Sequence, residues 1–313
     1  MRKRILGSVV LTLGAFATVA PTSAVAQTNP LWHEEKVKNF LPHMTWPEVR
    51  DLLTRTDIAL IPVPSIEQHG LQTPTGTDFY AGVEEAQLIA QRTDVLVAPV
   101  LIAGQSPYHM DFPGTITLSP DTIQRVYFEA AQSLIRHGFK RFLFLNSHAG
   151  NQYITRFVVD RINQETSAVA IDLGDAVAAM RGPAAESPVS AERFDRHGGV
   201  GETSRAMYLF PSLVQIDKAR PATLQLPPDL EKMLPDVVGG ERAATLIFLA
   251  EGLKPMETGK HTSAAEMSAT GVWSQRDPKE ATAEQGRRAV EGSVDGAVRF
   301  IERWKALRPM AQR

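Results

Sequence analysis

The sequence predicts an α/β fold: a three-layer α/β/α sandwich around a mostly parallel sheet. Three observations predict it. Short apolar runs alternate with stretches of helical periodicity along most of the chain. Start and stop residues bracket several of the helical stretches. The 313 residues are 43% hydrophobic and 22% charged, which supplies apolar material for one large core.

In chain order, residues 58–63 read as a buried strand, 79–92 carry apolar side chains at helical spacing, and 95–101 form the next strand. Ser119-Pro120-Asp121 opens a second helix. Ser can cap, Pro suits the first helical position, Asp complements the positive end of the dipole, and Gly138 stops the run. Residues 141–146 are then a strand, 152–164 a helix and 168–173 a strand, and 205–210 begin another apolar helix. Asp277-Pro278 opens a last amphipathic helix to about residue 307, expected to pack on the sheet. Strands alternating with helices at this spacing make βαβ units, with helices on both faces. The Pro- and Gly-rich segments 181–201 and 219–238 read as long surface excursions, and there is no internal repeat.

The N-terminus departs from this pattern. Arg2, Lys3 and Arg4 precede an apolar run over 5–20, and Ala24-Val25-Ala26 supplies a small-x-small cleavage site. We therefore expect residues 1–26 to be a signal peptide. Residues 27–313 would then be a single catalytic domain in the periplasm or outside the cell, with no membrane span in the mature chain. The formal net charge of −2, with Lys and Arg spread along the chain, excludes a nucleic-acid footprint. With no cysteine, any metal must be held by oxygen and imidazole nitrogen.

Three clusters carry chemistry. Ser65-Ile66-Glu67-Gln68-His69-Gly70 follows directly on the first strand, and alternate residues of an extended segment point the same way, so Glu67 and His69 can face one crevice. Asp78 follows a turn-forming run, just before a helix. Asn146-Ser147-His148-Ala149-Gly150-Asn151 again lies where a strand ends and a helix begins, and His197-Gly198-Gly199-Val200-Gly201-Glu202 is a Gly-rich turn. Ligand crevices of open α/β sheets lie beyond the carboxyl ends of the strands, which would bring these side chains together. Glu67, His69, Asp78, His148 and Glu202 then form an all-N/O site suited to Zn²⁺, Mn²⁺ or a mixed pair, in which a carboxylate such as Asp78 can bridge. Taken singly, each has a plainer reading. His69, His148 and His197 can be loop residues, and Glu202 can complement a helix dipole. His33, His43, His137 and His261 sit in no comparable context.

These motifs, in this order and with Phe112-Pro113-Gly114-Thr115 between them, resemble the creatininase family over roughly residues 45–300. The resemblance implies a binuclear site in which Glu67, His69, Asp78 and His148 are ligands and Asp78 bridges, a catalytic His197, and assembly into hexamers. Two features differ. Where creatininase has His-Tyr-Glu with a metal-binding Glu, this chain has His148-Ala149-Gly150, and Glu202 is the candidate to complete the second ion's shell. The tryptophan-bearing loop that creatininase closes over creatinine is also missing, since no Trp occurs between Trp46 and Trp273. Creatinine is therefore not the expected substrate. The His-Ala-Gly-Asn form is nearer the branch of formamide deformylases and a peptidase that matures a redox-cofactor peptide.

The expected activity is hydrolysis of a C–N amide bond, cyclic or linear, in a small-molecule substrate, with two divalent ions, zinc or manganese, activating water. Lactone hydrolysis at the same site, or exported binding without turnover, are the alternatives. Tyr108 and His109, in the loop over 102–118, are candidate substrate contacts.

Overall fold

The computed structural model describes residues 35–180, 194–252 and 263–310. The expected leader and its cleavage site after Ala26, most of the 181–201 excursion, and His33 and His261 lie outside these residues. Among the described residues, no helix is long and apolar enough to cross a membrane.

From Val37 onward the elements follow as α1 (Trp46–Leu52), β1 (Ile58–Val63), α2 (Thr77–Arg92), β2 (Leu96–Val97), α3 (Pro120–His137), β3 (Arg141–Asn146), α4 (Gln152–Glu165), β4 (Val169–Asp172) and α5 (Leu173–Met180). After them come β5 (Asp195–His197), α6 (Val200–Leu209), α7 (Pro228–Val238), α8 (Arg242–Gly252), α9 (Ser263–Met267), β6 (Trp273–Ser274) and α10 (Ala283–Leu307). The first four strands form a parallel sheet in the order β2-β1-β3-β4. β5 and β6 pair antiparallel as a separate ribbon.

The period of two in the strands generates the three layers. Ala59, Ile61, Val63, Phe142 and Phe144 point to one face, where Ile123, Tyr127 and Ala131 of α3 and Ile154, Val158 and Ile162 of α4 cover them. Ile58, Leu60, Leu143 and Leu145 point to the other, against Ala86, Ile89 and Ala90 of α2, Ala176 and Val177 of α5, and Val290, Val294, Ala297 and Ile301 of α10. All six residues of β1 are buried, as a central parallel strand requires. The expected α/β/α sandwich is the fold.

Four expectations need correction. The strand at 95–101 reduces to the pair Leu96–Val97, because Pro99 has no N–H to continue the ladder. The excursion over 219–238 contains α7, whose Leu230, Leu234 and Val237 fall at helical spacing and enter a third apolar cluster with Phe194, Phe248 and Trp273. α6 starts at Val200, not 205, because the Asp195 carboxylate accepts from the N–H groups of Val200 (3.0 Å) and Gly201 (2.9 Å) and caps that helix from a preceding strand. Asp277-Pro278 opens only a 3₁₀ turn, and α10 begins after Thr282, whose side chain caps it.

Candidate metal centre

β1 and β3 are neighbours with Val63 in register with Asn146, so both chains leave the sheet at the same edge. Glu67 and His69 follow from the first and His148 from the second. Asp78 and Glu202 lie in the first turns of α2 and α6, where the positive end of the helix favours a carboxylate. Gly198, at φ +60°, lets the chain before α6 pass against the main chain of His69, where a Cβ would come within 2.9 Å of the His69 carbonyl carbon.

Three imidazoles share one arrangement. His69 Nδ1–H donates to the Glu67 carbonyl at 3.1 Å, His148 Nε2–H to the Gln105 carbonyl at 3.0 Å, and His197 Nε2–H to the Gln68 carbonyl at 2.7 Å. A backbone oxygen can only accept, so each bond fixes which nitrogen carries the proton and turns the other toward the carboxylates. His69 Nε2 lies 3.2 Å from Asp78 Oδ1 and 3.7 Å from Glu202 Oε2. His148 Nδ1 lies 3.3 Å from both Glu67 Oε1 and Asp78 Oδ2. His197 Nδ1 is more distant, 3.6 Å from Glu67 Oε1 and 3.8 Å from Glu202 Oε2. Glu202 Oε2 also accepts from the Gly198 N–H at 2.7 Å.

Charge follows the geometry. Burial would raise the Glu67 carboxyl, but His148, then His197 and His109, hold it well below the usual range. Burial opposes ionisation of Asp78 too, yet His69 lowers it. For His69, burial is outweighed by Asp78 and Glu202, which raise it to about 10, and Glu67 with Asp78 raises His148 in the same way. Burial and the neighbouring His69 lower His197. Burial and then His197 depress His109 to about 2. Burial raises the Tyr108 hydroxyl, with Glu67 and Asp78 adding to it.

The protein groups leave part of this site unsatisfied. His69 Nε2 and Asp78 Oδ2 are buried with no hydrogen-bond partner, although each has an opposite charge nearby. A buried unpaired polar atom costs about 1–3 kcal/mol. A cation accepting both lone pairs would remove that cost, and the donors are the imidazole and carboxylate groups that zinc and manganese take. The residues therefore fit a metal. Among the described residues, three overlapping groups have ligand atoms within 4.8 Å of one another: Glu67 with His69 and Asp78, His69 with His197 and Glu202, and Glu67 with His109 and His197.

The structure thus brings together Glu67, His69, Asp78, His148, His197 and Glu202. Tyr108 and His109 belong to the cluster as well, the Tyr108 hydroxyl 3.2 Å from His148 Nε2 and the buried His109 Nε2 3.7 Å from Glu67 Oε1. A Cβ on Gly150 would meet the Tyr108 hydroxyl at 2.3 Å, His148 Nε2 at 2.4 Å and the Gln105 carbonyl at 2.5 Å, so there is no room for a carboxylate there. Sequence reasoning missed two participants. The Gln68 amide lies between His109 and His197, on the alternate parity of a motif read for Glu67 and His69. The Trp273 ring centre is 5.9 Å from that of His109 and 6.5 Å from that of His197, brought there by the β5–β6 ribbon, and no local signal marks it.

The creatininase family, described as creatinine amidohydrolase, matches residues 42–301. The chain belongs to the creatininase family. It is 27% identical over 265 residues to the mycofactocin precursor peptide peptidase of Mycolicibacterium smegmatis, covering 82% of this chain and 89% of that protein. It is 29% identical over 200 residues to the creatinine amidohydrolase of Pseudomonas putida, covering 57% and 75% respectively. A zinc-zinc mutant creatininase superposes with a TM-score of 0.66 at 22% identity over 87% of this chain and 99% of that one, and a manganese creatininase also matches. These likenesses establish the creatininase fold.

Proposed function

We propose that this chain hydrolyses a C–N amide bond, cyclic or linear, in a small substrate, with two divalent ions, zinc or manganese, held by Glu67, His69, Asp78, His148 and Glu202. The observation that carries the reading is the Asp78 carboxylate, whose two oxygens face two different imidazoles, His69 Nε2 at 3.2 Å and His148 Nδ1 at 3.3 Å. Asp78 so placed would serve as a ligand shared by the two ions. When bound, the ions supply a water acidic enough to lose a proton near neutral pH and polarise the scissile carbonyl.

His197 moves the protons. Its Nε2 is committed to the Gln68 carbonyl, so Nδ1 is the working atom, and its lowered pKa leaves Nδ1 free to accept. It takes a proton from the attacking water and returns it to the departing nitrogen, since an unprotonated amine leaves poorly. Water adds to the carbonyl carbon, the C–N bond breaks, and a carboxylic acid and an amine result. The peptidase and amidohydrolase relatives support an amide over a lactone.

The proposal extends to an exported mature chain beginning at Gln27 and to a homo-oligomer. Tyr153 and Phe157, exposed one turn apart on α4, offer apolar surface for association. The reading is tested by offering zinc- or manganese-loaded protein a panel of cyclic amides, formamides, short peptides and lactones. Amide turnover that disappears on chelation and in His148→Ala is expected. Turnover by metal-free protein would sink the proposal.

A further inference from the structure

The side chain of Gln68 has an orientation that its backbone contacts settle. Its Oε1 accepts from the Gly70 N–H at 2.9 Å, and its Nε2 donates to the Gly271 carbonyl at 3.0 Å. A main-chain N–H only donates and a carbonyl only accepts, so the amide cannot be reversed. Gly271, at φ +76°, makes the second contact possible, because a Cβ there would overlap the amide.

One Nε2 hydrogen of Gln68 remains. Two imidazole nitrogens lie within reach, His197 Nε2 at 3.0 Å and His109 Nδ1 at 2.9 Å. His197 Nε2 already carries the hydrogen it gives to the Gln68 carbonyl, so it has no lone pair to offer. The remaining hydrogen goes to His109 Nδ1. His109 therefore carries its own proton on Nε2, the nitrogen that faces Glu67 Oε1 from 3.7 Å, a separation too long for a hydrogen bond. A protonated Nε2 has no lone pair for a metal. Of the three groups with ligand spacing, the one combining Glu67, His109 and His197 is thus not a cation site.

We propose that Gln68 is a positioning residue that locks His109 as the Nε2–H tautomer, and that His109 is a hydrogen-bond donor to the carbonyl oxygen of the bound substrate. The donor role rests on the amide-hydrolysis reading, whereas the tautomer does not. His109 is held from three sides: the Gln68 amide on Nδ1, the His197 ring stacked at 4.3 Å between centres, and the Trp273 ring at 5.9 Å. A donor fixed in this way needs little reorganisation as charge builds on a carbonyl oxygen.

The test uses the full chain, loaded with zinc and labelled with ¹⁵N at histidine, in long-range ¹H–¹⁵N NMR, with the His109 signals identified by their loss in His109→Phe. The expected result is an Nε2–H tautomer. An Nδ1–H tautomer, or a metal-coordinated Nε2, overturns the proposal without reference to any substrate. Acetohydroxamate then serves as a carbonyl probe that needs no turnover. His109→Phe should bind it about tenfold more weakly, the worth of one hydrogen bond, and His109→Gln, which keeps an N–H donor, should recover most of the loss. Equal affinity in wild type and His109→Phe removes the donor role even if amides are hydrolysed. Failure of the amide panel with a normal probe response instead counts against the proposed reaction.

Discussion

At the scale of single residues, this centre is built from imidazoles whose outer nitrogens are tied to main-chain carbonyls. Asp78, Glu202 and Glu67 raise His69 to about 10, and Glu67 with Asp78 raises His148, so a metal binding to those rings near pH 7 would release protons from them. Zinc affinity should therefore fall as pH falls. Calorimetric titration in buffers of different ionisation enthalpy should report proton release, and a heat independent of buffer would contradict it. Gly150 gives a second expectation. Its Cβ position is already taken by Tyr108, His148 and the Gln105 carbonyl, and backbone cannot retreat as a side-chain tip can. Gly150→Ala should cost about 1–3 kcal/mol of stability, as overpacking does, and lower zinc retention by displacing His148. Thermal unfolding and metal content after gel filtration measure both.

At the scale of elements, the position of Glu202 depends on how α6 sits on α10. Gly286 faces the Ser204 carbonyl so closely that no Cβ fits between the helices, and the Ser204 hydroxyl accepts from the Thr282 N–H at 3.1 Å. Gly286→Ala should push α6 away and carry Glu202 with it, costing about 1–3 kcal/mol. Urea denaturation reads the stability, and zinc stoichiometry reads the site. Stability lost with no change in metal content would show that the N-terminus of α6 is held by its own anchors, the Asp195 cap and the Gly198 contact with Glu202.

At the scale of the whole molecule, one buried ion pair ties the end of the chain to the sheet. Arg141, at the start of β3, pairs with Asp57 just before β1 and donates to the Arg308 carbonyl beyond α10 at 3.0 Å, and its guanidinium lies over the Trp304 ring. Asp57→Ala would leave the Arg141 charge buried without its partner. We expect a loss of about 3–5 kcal/mol in urea denaturation. A loss under about 1 kcal/mol would mean that the Arg308 carbonyl and the Trp304 ring suffice to hold the charge.

The strands at 58–63 and 141–146, the helix over 120–137 and the five ligand-type residues were legible in the chain, because side-chain period, caps and donor chemistry are properties of neighbouring residues. The strand expected over 95–101 extends only over Leu96–Val97, and α7 lies in a segment whose prolines at 227, 228 and 235 look like loop while Leu230, Leu234 and Val237 carry the helical period. What no local pattern could supply was partnership across long separations. Gln68 meets His109 41 residues away, His197 129 away and the Gly271 carbonyl 203 away. Tyr108 fills the space beside Gly150, and Trp273 arrives through a ribbon from the far end of the chain. A hydrogen bond depends on direction and distance between groups, and only the packed fold brings such groups to one point. Residue type could therefore announce a cluster of metal-ligand chemistry, while packing alone selected which nitrogen of each histidine faces it.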